Sequence, residues 1–404
     1  MEDPAVIPQV NFRAGTLRLH LEAWSRLTQD HFVLSAVLGY RIPLVRIPEQ
    51  REPPRAPRWS MQSSENDAAV AIADLLHIHA ISPCSPERDQ FLSPFFLVPK
   101  PNSPQKRFIL NLKEFNEYVQ TEHFQMEDGR TARALISEGD FLGKIDLYSA
   151  YYSIPIHPDC KKYLRFLFRG CLYQFNVLPF GLASAPYVFT KVLKPVVQSL
   201  RRDGFRSVAF LDDFLCLGSS YVECLDNLSQ TAALFTSLGF VINTPKSVLR
   251  PSTKLTFLGL EYDSAAMTVA LPPDKRTDVL RQVTYFSTLP SCTIREWAGL
   301  IGTLNFCCQA VPYGRVYLKL FERVRVTELF KANHNFDATM SPPPSLRADF
   351  FVVDRRSPSG GHSPSAATLS VRDFFRRLGH WLGGLFRLYI CWGPVGRRPA
   401  LPTY

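Results

Sequence analysis

The 404-residue sequence predicts an α+β fold, and three features carry that prediction. Two short apolar runs, Phe95–Val98 and Arg107–Leu112, flank the turn-forming stretch Pro101-Asn102-Ser103-Pro104, which is the pattern of paired strands. Helical stretches with recognisable ends come next. Ala185–Arg202 is one, and Val222–Leu238, ended by Gly239, is another. Ser207–Gly218 is almost wholly apolar apart from two adjacent acids in its middle, as expected of buried strand structure broken at one point.

The remaining elements fill in around these. Leu17–Leu27 reads as an amphipathic helix, and Pro43–Pro57 as a Pro/Arg-rich connector. Seven prolines fall in the first 57 residues, so residues 1–60 are expected to be an extension rather than a compact domain. Asn66–Ala80 has helical apolar spacing through Val70, Ile72, Leu75, Leu76 and Ile78. Gly143–Leu147 reads as a strand running into a short helical segment, and Leu255–Tyr262 with Met267–Leu271 as a hairpin. Thr293-Ile294-Arg295-Glu296 is a capping box, succeeded at helical spacing by Trp297, Leu300, Ile301 and Leu304.

Composition narrows the class. The formal charge is +10 and the pI near 9.2, a bias toward anionic partners such as nucleic acid. Nine Arg against three Asp after position 340 supply +6 of that charge. Nine cysteines without a Cys-x-x-Cys pair suggest neither a disulfide framework nor structural zinc. The acidic start lacks a secretory h-region, and no run of about twenty apolar residues could span a bilayer. The expectation is therefore an intracellular protein, cytoplasmic or nuclear, without a membrane partner.

The chemistry centres on Phe210-Leu211-Asp212-Asp213. Two carboxylates inside an apolar run are expensive to bury unless something offsets their charge. By itself the pair also fits a polar turn joining two strands. A third acid, Asp146, ends another apolar strand, Lys144-Ile145-Asp146-Leu147. Neighbouring strand residues point to opposite faces, so Asp212 and Asp213 can serve one site only at a hairpin tip. Three converging carboxylates suit Mg²⁺, a hard ion that binds few protein ligands alongside phosphates. Two such ions can activate a hydroxyl and stabilise a departing pyrophosphate.

These segments resemble reverse transcriptases. Phe210-Leu211-Asp212-Asp213 is similar to their Tyr-x-Asp-Asp box, with Phe for Tyr. Asp146, with Tyr151 five residues later, resembles their first catalytic motif. Leu178-Pro179-Phe180-Gly181-Leu182-Ala183-Ser184-Ala185-Pro186 is very close to a motif of long-terminal-repeat and related elements. Pro99-Lys100, Arg107–Lys113, Gly239–Asn243 with Lys246, and Phe257-Leu258-Gly259 resemble further motifs in the same order. Ala14-Gly15-Thr16-Leu17 with Trp24, and His123-Phe124-Gln125-Met126-Glu127, are similar to the DIRS group of tyrosine-recombinase retrotransposons.

The resemblance implies a right-hand polymerase. Fingers are expected over 61–140, palm over 141–265 with an insert around 155–178, and a helical thumb or connection over 266–340. The palm would be an antiparallel sheet backed by helices. The implied reaction is addition of dNMP to a primer 3′-OH on an RNA or DNA template. Asp146, Asp212 and Asp213 would hold two Mg²⁺ ions, for which Mn²⁺ can substitute. Tyr151 would exclude a ribose 2′-OH, and Lys100 and Arg107 would meet the triphosphate. Phe180 and Gly181 would lie beneath the templating pair, where glycine permits close approach. Lys246 would protonate pyrophosphate, while Phe210, Phe257, Leu258 and Gly259 would contact primer and template. Affinity for the duplex would come mostly from Lys and Arg on phosphates. Phe210 lacks the usual hydroxyl, and Asn111 stands where an acid is common.

The Arg/Pro/Ser-rich tail, 341–404, is expected to be disordered apart from a helix at Val371–Leu385. Its only acids are Asp349, Asp354 and Asp373, too few for an RNase H site. A frame change near Phe350 or an unselected tail would explain it. Two rival readings remain open from the sequence. One is a catalytically inactive nucleic-acid-binding remnant. The other is an RNA-directed RNA polymerase, which the bulky Tyr151 disfavours.

Overall fold

The computed structural model describes residues 12–50, 52, 62–99, 106–311 and 314–342. The described residues form two compact units. The first holds those up to Ile136 together with Asp140–Ser252, and the second holds Ser137–Gly139 together with those from Thr253 onward. The division thus falls before the expected palm boundary at 265. Lys100, the turn at 101–104 and the tail from 343 onward lie outside the described residues.

At the centre of the first unit is a four-stranded antiparallel sheet. Its spatial order is Arg206–Phe210, Asp213–Gly218, Phe141–Asp146, Val248–Ser252. The apolar run from Ser207 folds back on itself because the acids sit at its turn, and Phe214, Leu215, Cys216 and Leu217 are all buried. Helices Ala185–Arg202 and Tyr221–Ser237 pack on the sheet. The first carries a strong apolar face through Val188, Phe189, Val192, Val196 and Leu200. Ser220 caps the second by accepting the Glu223 N–H, and Gly239 ends it with φ +91°.

Arg206–Phe210 is an edge strand, and its outward groups are not left bare. The Glu127 carboxylate accepts the Ala209 N–H at 2.8 Å, and Arg201 donates to the Ser207 carbonyl at 2.9 Å. Glu127 and Arg201 are themselves paired at 2.5 Å. One ion pair therefore supplies both an acceptor and a donor where a neighbouring strand would.

Strands Phe95–Pro99 and Lys106–Leu110 pair as the sequence predicts. Beside them is a sheet that the sequence did not announce, ordered Ile81–Pro83, Cys171–Phe175, Arg165–Phe168. Stacked and tilted rings of Phe95, Phe108, Phe166 and Phe175 fill the space between. Arg165 is buried there, satisfied by Glu87, Gln90, Gln174 and the Ser85 carbonyl.

The amino-terminal region departs from expectation. Its described part is built into the first unit, with Leu17, Trp24, Val33 and Val37 buried in the same core as the sheet's helices. The expected Leu17–Leu27 helix is a 3-10 turn, Thr16–His20, leading into Leu21–Leu27. A second helix, His31–Gly39, comes after it, its N-terminus capped by the Asp30 side chain on Phe32 N–H and Val33 N–H.

The second unit has a three-stranded antiparallel sheet, Lys254–Phe257, Leu260–Asp263 and Thr268–Ala270. Helices Pro273–Thr288, Ile294–Cys307 and Gly314–Lys331 come after the sheet. The Thr293/Glu296 capping box forms as read from the sequence. Trp297 is fully buried, stacks on Phe321 at 5.4 Å and donates Nε1–H to the Phe321 carbonyl. Among the described residues no helix is long and apolar enough to cross a membrane, and the eight cysteines are free.

Candidate active site

The hairpin between Arg206–Phe210 and Asp213–Gly218 closes on the pair Phe210↔Asp213, leaving Leu211 and Asp212 as the turn. Leu211 takes φ +52°. Asp213 also pairs with Asp146 across the adjacent strand, so the three acids meet at one end of the sheet. A hairpin tip is what the alternation of strand side chains required. The Asp212 carbonyl accepts the Leu147 N–H at 2.9 Å, which ties the tip to the end of the Asp146 strand.

Asp146 is buried and held on all sides. Its N–H donates to Ser247 Oγ at 3.0 Å, and its carbonyl accepts the Asn243 N–H at 2.8 Å. Its Oδ1 accepts a bond from Asn243 Nδ2 at 2.7 Å. Burial nevertheless pushes the carboxyl above the usual carboxylate range. The Asn243 bond and the Lys246 charge oppose that, and the Asp213 charge adds to it. Asp212 is exposed at the tip, yet the protein crowding it raises its carboxyl as well. Asp213 and Asp146 reinforce the rise, against its own backbone hydrogen bond and Lys246.

Asp213 differs from the other two. Its Oδ1 lies 2.6 Å from Lys144 Nζ, so this carboxylate already has a cation. No group of three or more His, Cys, Asp or Glu side chains is gathered as a ready metal site among the described residues. Asp146 and Asp212 do fit a divalent cation. They are hard oxygen donors whose ionisation is opposed by burial and by each other, and a bound cation would reverse both effects. Lys144 engages Oδ1 of Asp213, so Oδ2 is the oxygen through which Asp213 would join them.

Of the residues expected to meet the nucleotide, Tyr151 and Lys246 are close enough for their charges and those of the acids to act on one another. Tyr151 packs against Phe180 and Phe189, each with ring centroids 5.3 Å away. Burial, with the Asp212 charge adding, pushes its phenol up to about 12. The Arg107 guanidinium is 5.8 Å from the centre of the Phe180 ring. Gly181 has φ +95°, and its carbonyl accepts from Asn116 at 2.9 Å. Lys246 ends the 3-10 turn Thr244–Lys246, exposed, with its charge acting on both Asp146 and Asp212. Phe210 is half-buried at the hairpin's end. Phe257, Leu258 and Gly259 form a hairpin tip of the second unit, and Lys100 lies outside the described residues.

Sequence reasoning assigned no role to Asn243, Ser247 or Lys144. Asn243 stood inside a motif already singled out, so that motif was the available signal. The Lys144–Asp213 pair depends on strand register, which the sequence does not display.

Residues 98–262 match the family "Reverse transcriptase (RNA-dependent DNA polymerase)". Two curated relatives are genome polyproteins of Petunia vein clearing virus. The Shepherd isolate is 24% identical over 196 residues, covering 48% of this chain and 9% of the polyprotein. The Hohn isolate is 24% identical over 239 residues, covering 58% and 10%. The chain thus spans about a tenth of the length of these relatives. Among solved structures, the foamy viral protease-reverse transcriptase in complex with an RNA/DNA hybrid has a TM-score of 0.58 at 18% identity, covering 85% of this chain and 46% of that one. A second structure of that protein, in complex with double-stranded DNA, reaches 0.60 at 16%, covering 93% and 63%. At such identities the likeness establishes the right-hand polymerase fold.

Proposed function

We propose that this chain, whose residues 98–262 match the reverse transcriptase family, adds dNMP to a primer 3′-OH on an RNA or DNA template. The observation that carries this reading is the meeting of Asp146, Asp212 and Asp213 at one sheet end, with two of their carboxyls held above the ordinary range. Asp146 and Asp212, with Asp213 through the carboxylate oxygen that Lys144 leaves unengaged, are the residues that would hold Mg²⁺. Two such ions supply positive charge that eases loss of the 3′-OH proton and stabilises pyrophosphate as it leaves.

The chain's own residues do the rest. Asn243 and Ser247 fix Asp146 in one orientation through its carboxylate, N–H and carbonyl. The Tyr151 ring, held by Phe180 and Phe189, fills the space a 2′-hydroxyl would need. Arg107 and Lys100 bind the triphosphate, Arg107 as a forked donor. Lys246 donates a proton to the departing pyrophosphate. Phe210 packs on the primer end, and the Phe257-Leu258-Gly259 tip contacts primer and template. The Ala14–Leu17, Trp24 and His123–Glu127 segments carry the finer proposal that the parent element belongs to the DIRS group.

The test is extension of oligo(dT) on poly(rA) with dTTP and Mg²⁺, comparing wild type with Asp212→Asn. Extension that the substitution abolishes is expected. A folded wild type that binds template–primer but extends nothing with Mg²⁺ or Mn²⁺ would favour the binding-only reading. The Lys144–Asp213 pair is the structural feature that such a result would bring forward.

A further inference from the structure

Thr16, His20 and Trp24 stand at four-residue spacing in the amino-terminal region and take no part in the chemistry above. All three side chains end on consecutive carbonyls at the C-terminus of helix Tyr221–Ser237. His20 Nδ1 meets the Ser237 carbonyl at 2.9 Å, Trp24 Nε1–H donates to Leu238 at 3.0 Å, and Thr16 Oγ1–H donates to Gly239 at 2.9 Å. A carbonyl only accepts, so His20 carries its proton on Nδ1. The last carbonyls of a helix lack intrahelical donors and carry the negative end of its dipole. Ser237 is the last residue of that helix and Leu238 its C-cap, so two donors of the strap meet such carbonyls and the third meets Gly239 just beyond them. The fit is close: a Cβ on Gly239 would fall 2.6 Å from the His20 ring.

From Gly239 the chain runs directly into the site. The Val241 carbonyl accepts the Tyr148 N–H at 2.8 Å, and Ile242 bridges to Leu147. Asn243 then makes its two bonds to Asp146. On its other side the strap meets the Tyr151 turn, where Gly15 N–H donates to the Tyr152 carbonyl at 2.8 Å. Rings join the two ends as well. Trp24 meets Phe240 at 6.2 Å, Phe240 meets Phe189 at 6.3 Å, and Phe189 meets Tyr151 at 5.3 Å. A slip of one residue in Phe240–Asn243 would take Asn243 off Asp146.

We propose that Thr16, His20 and Trp24 are positioning residues that lock the register of Phe240–Asn243, and with it the orientation of Asp146 and Tyr151. The catalytic consequence rests on the polymerase reading; the register lock does not. Thr16→Val removes one donor and keeps the shape of the side chain, whereas Trp24→Phe removes another together with part of a buried ring. Amide hydrogen exchange of the purified full chain reads the lock without any substrate. Loss of one such bond should speed exchange at Tyr148 and Asn243 about tenfold while Leu215 and Cys216 keep their protection. Thr16→Ser should restore the wild-type rate. In primer extension the same variants should lose several-fold in discrimination between dTTP and UTP, with affinity for template–primer unchanged. Unchanged exchange at Tyr148 and Asn243, or a rise spread evenly over the sheet, would overturn the proposal. A wild type inert in extension counts against the polymerase reading alone, because the exchange result still decides the strap.

Discussion

Two hairpin tips of this molecule are built alike and used differently. One closes on Phe210↔Asp213 around Leu211-Asp212, the other on Phe257↔Leu260 around Leu258-Gly259. Both force a leucine into the left-handed region, Leu211 at φ +52° and Leu258 at φ +47°. That conformation costs a non-glycine residue about 1–2 kcal/mol. In the second tip Gly259 comes next at φ +75°, so both central residues are left-handed, as a type I′ turn requires. In the first tip Asp212 stays out of that region and places a carboxyl beside two others. The second tip is a solution to a backbone problem. The first tolerates mutual repulsion that its turn does not require, as the proposed role of Asp212 would call for.

Exchanging the second turn residue between the tips would break this comparison. Asp212→Gly should leave the protein folded and, on the proposed metal-holding role of this carboxylate, lower primer extension by about 10³-fold. Melting curves alongside extension rates check both halves, and a variant with near-normal rates would remove Asp212 from the site. The reciprocal change, Gly259→Asp, puts a side chain where φ is +75° and should cost about 1–2 kcal/mol in a urea titration. A smaller effect sharpens the contrast. The Asp146 and Asp212 carboxyls are raised in the folded state, so the folded protein binds protons more readily than the unfolded chain there. Metal-free protein should therefore gain stability as pH falls from above the raised values toward the ordinary carboxylate range. Asp212→Asn should flatten that gain and raise stability at neutral pH, by less than about 1 kcal/mol because Asp212 is exposed and screened. Calorimetry with a chelator present would show it, and identical pH profiles would argue that the acids do not repel.

Much of the scaffold was legible in the sequence because its signals are local. Thr293 and Glu296 announce their helix by capping each other, and the apolar spacing of Trp297, Leu300, Ile301 and Leu304 corresponds to buried side chains. The acid pair was legible because it interrupts an apolar run. What escaped notice is non-local. Cys171–Phe175 has no clear alternation of burial, and its partners lie in Ile81–Pro83 and Arg165–Phe168. The prolines of the first segment suggested an extension, whereas Leu17 and Trp24 are wholly buried in the core. Within the site, Asn243 reaches Asp146 across 97 positions of sequence, a contact that only the folded register creates.

The ion pair beside Arg206–Phe210 has a consequence for the protein's behaviour in concentrated solution. A bare sheet edge invites a second chain to add as another strand, the first step of many aggregates. Here Glu127 occupies the Ala209 N–H and Arg201 the Ser207 carbonyl, so the strand leading to the acids offers an incoming chain neither group. On this flank of the sheet the ion pair stands where an added strand would have to bond.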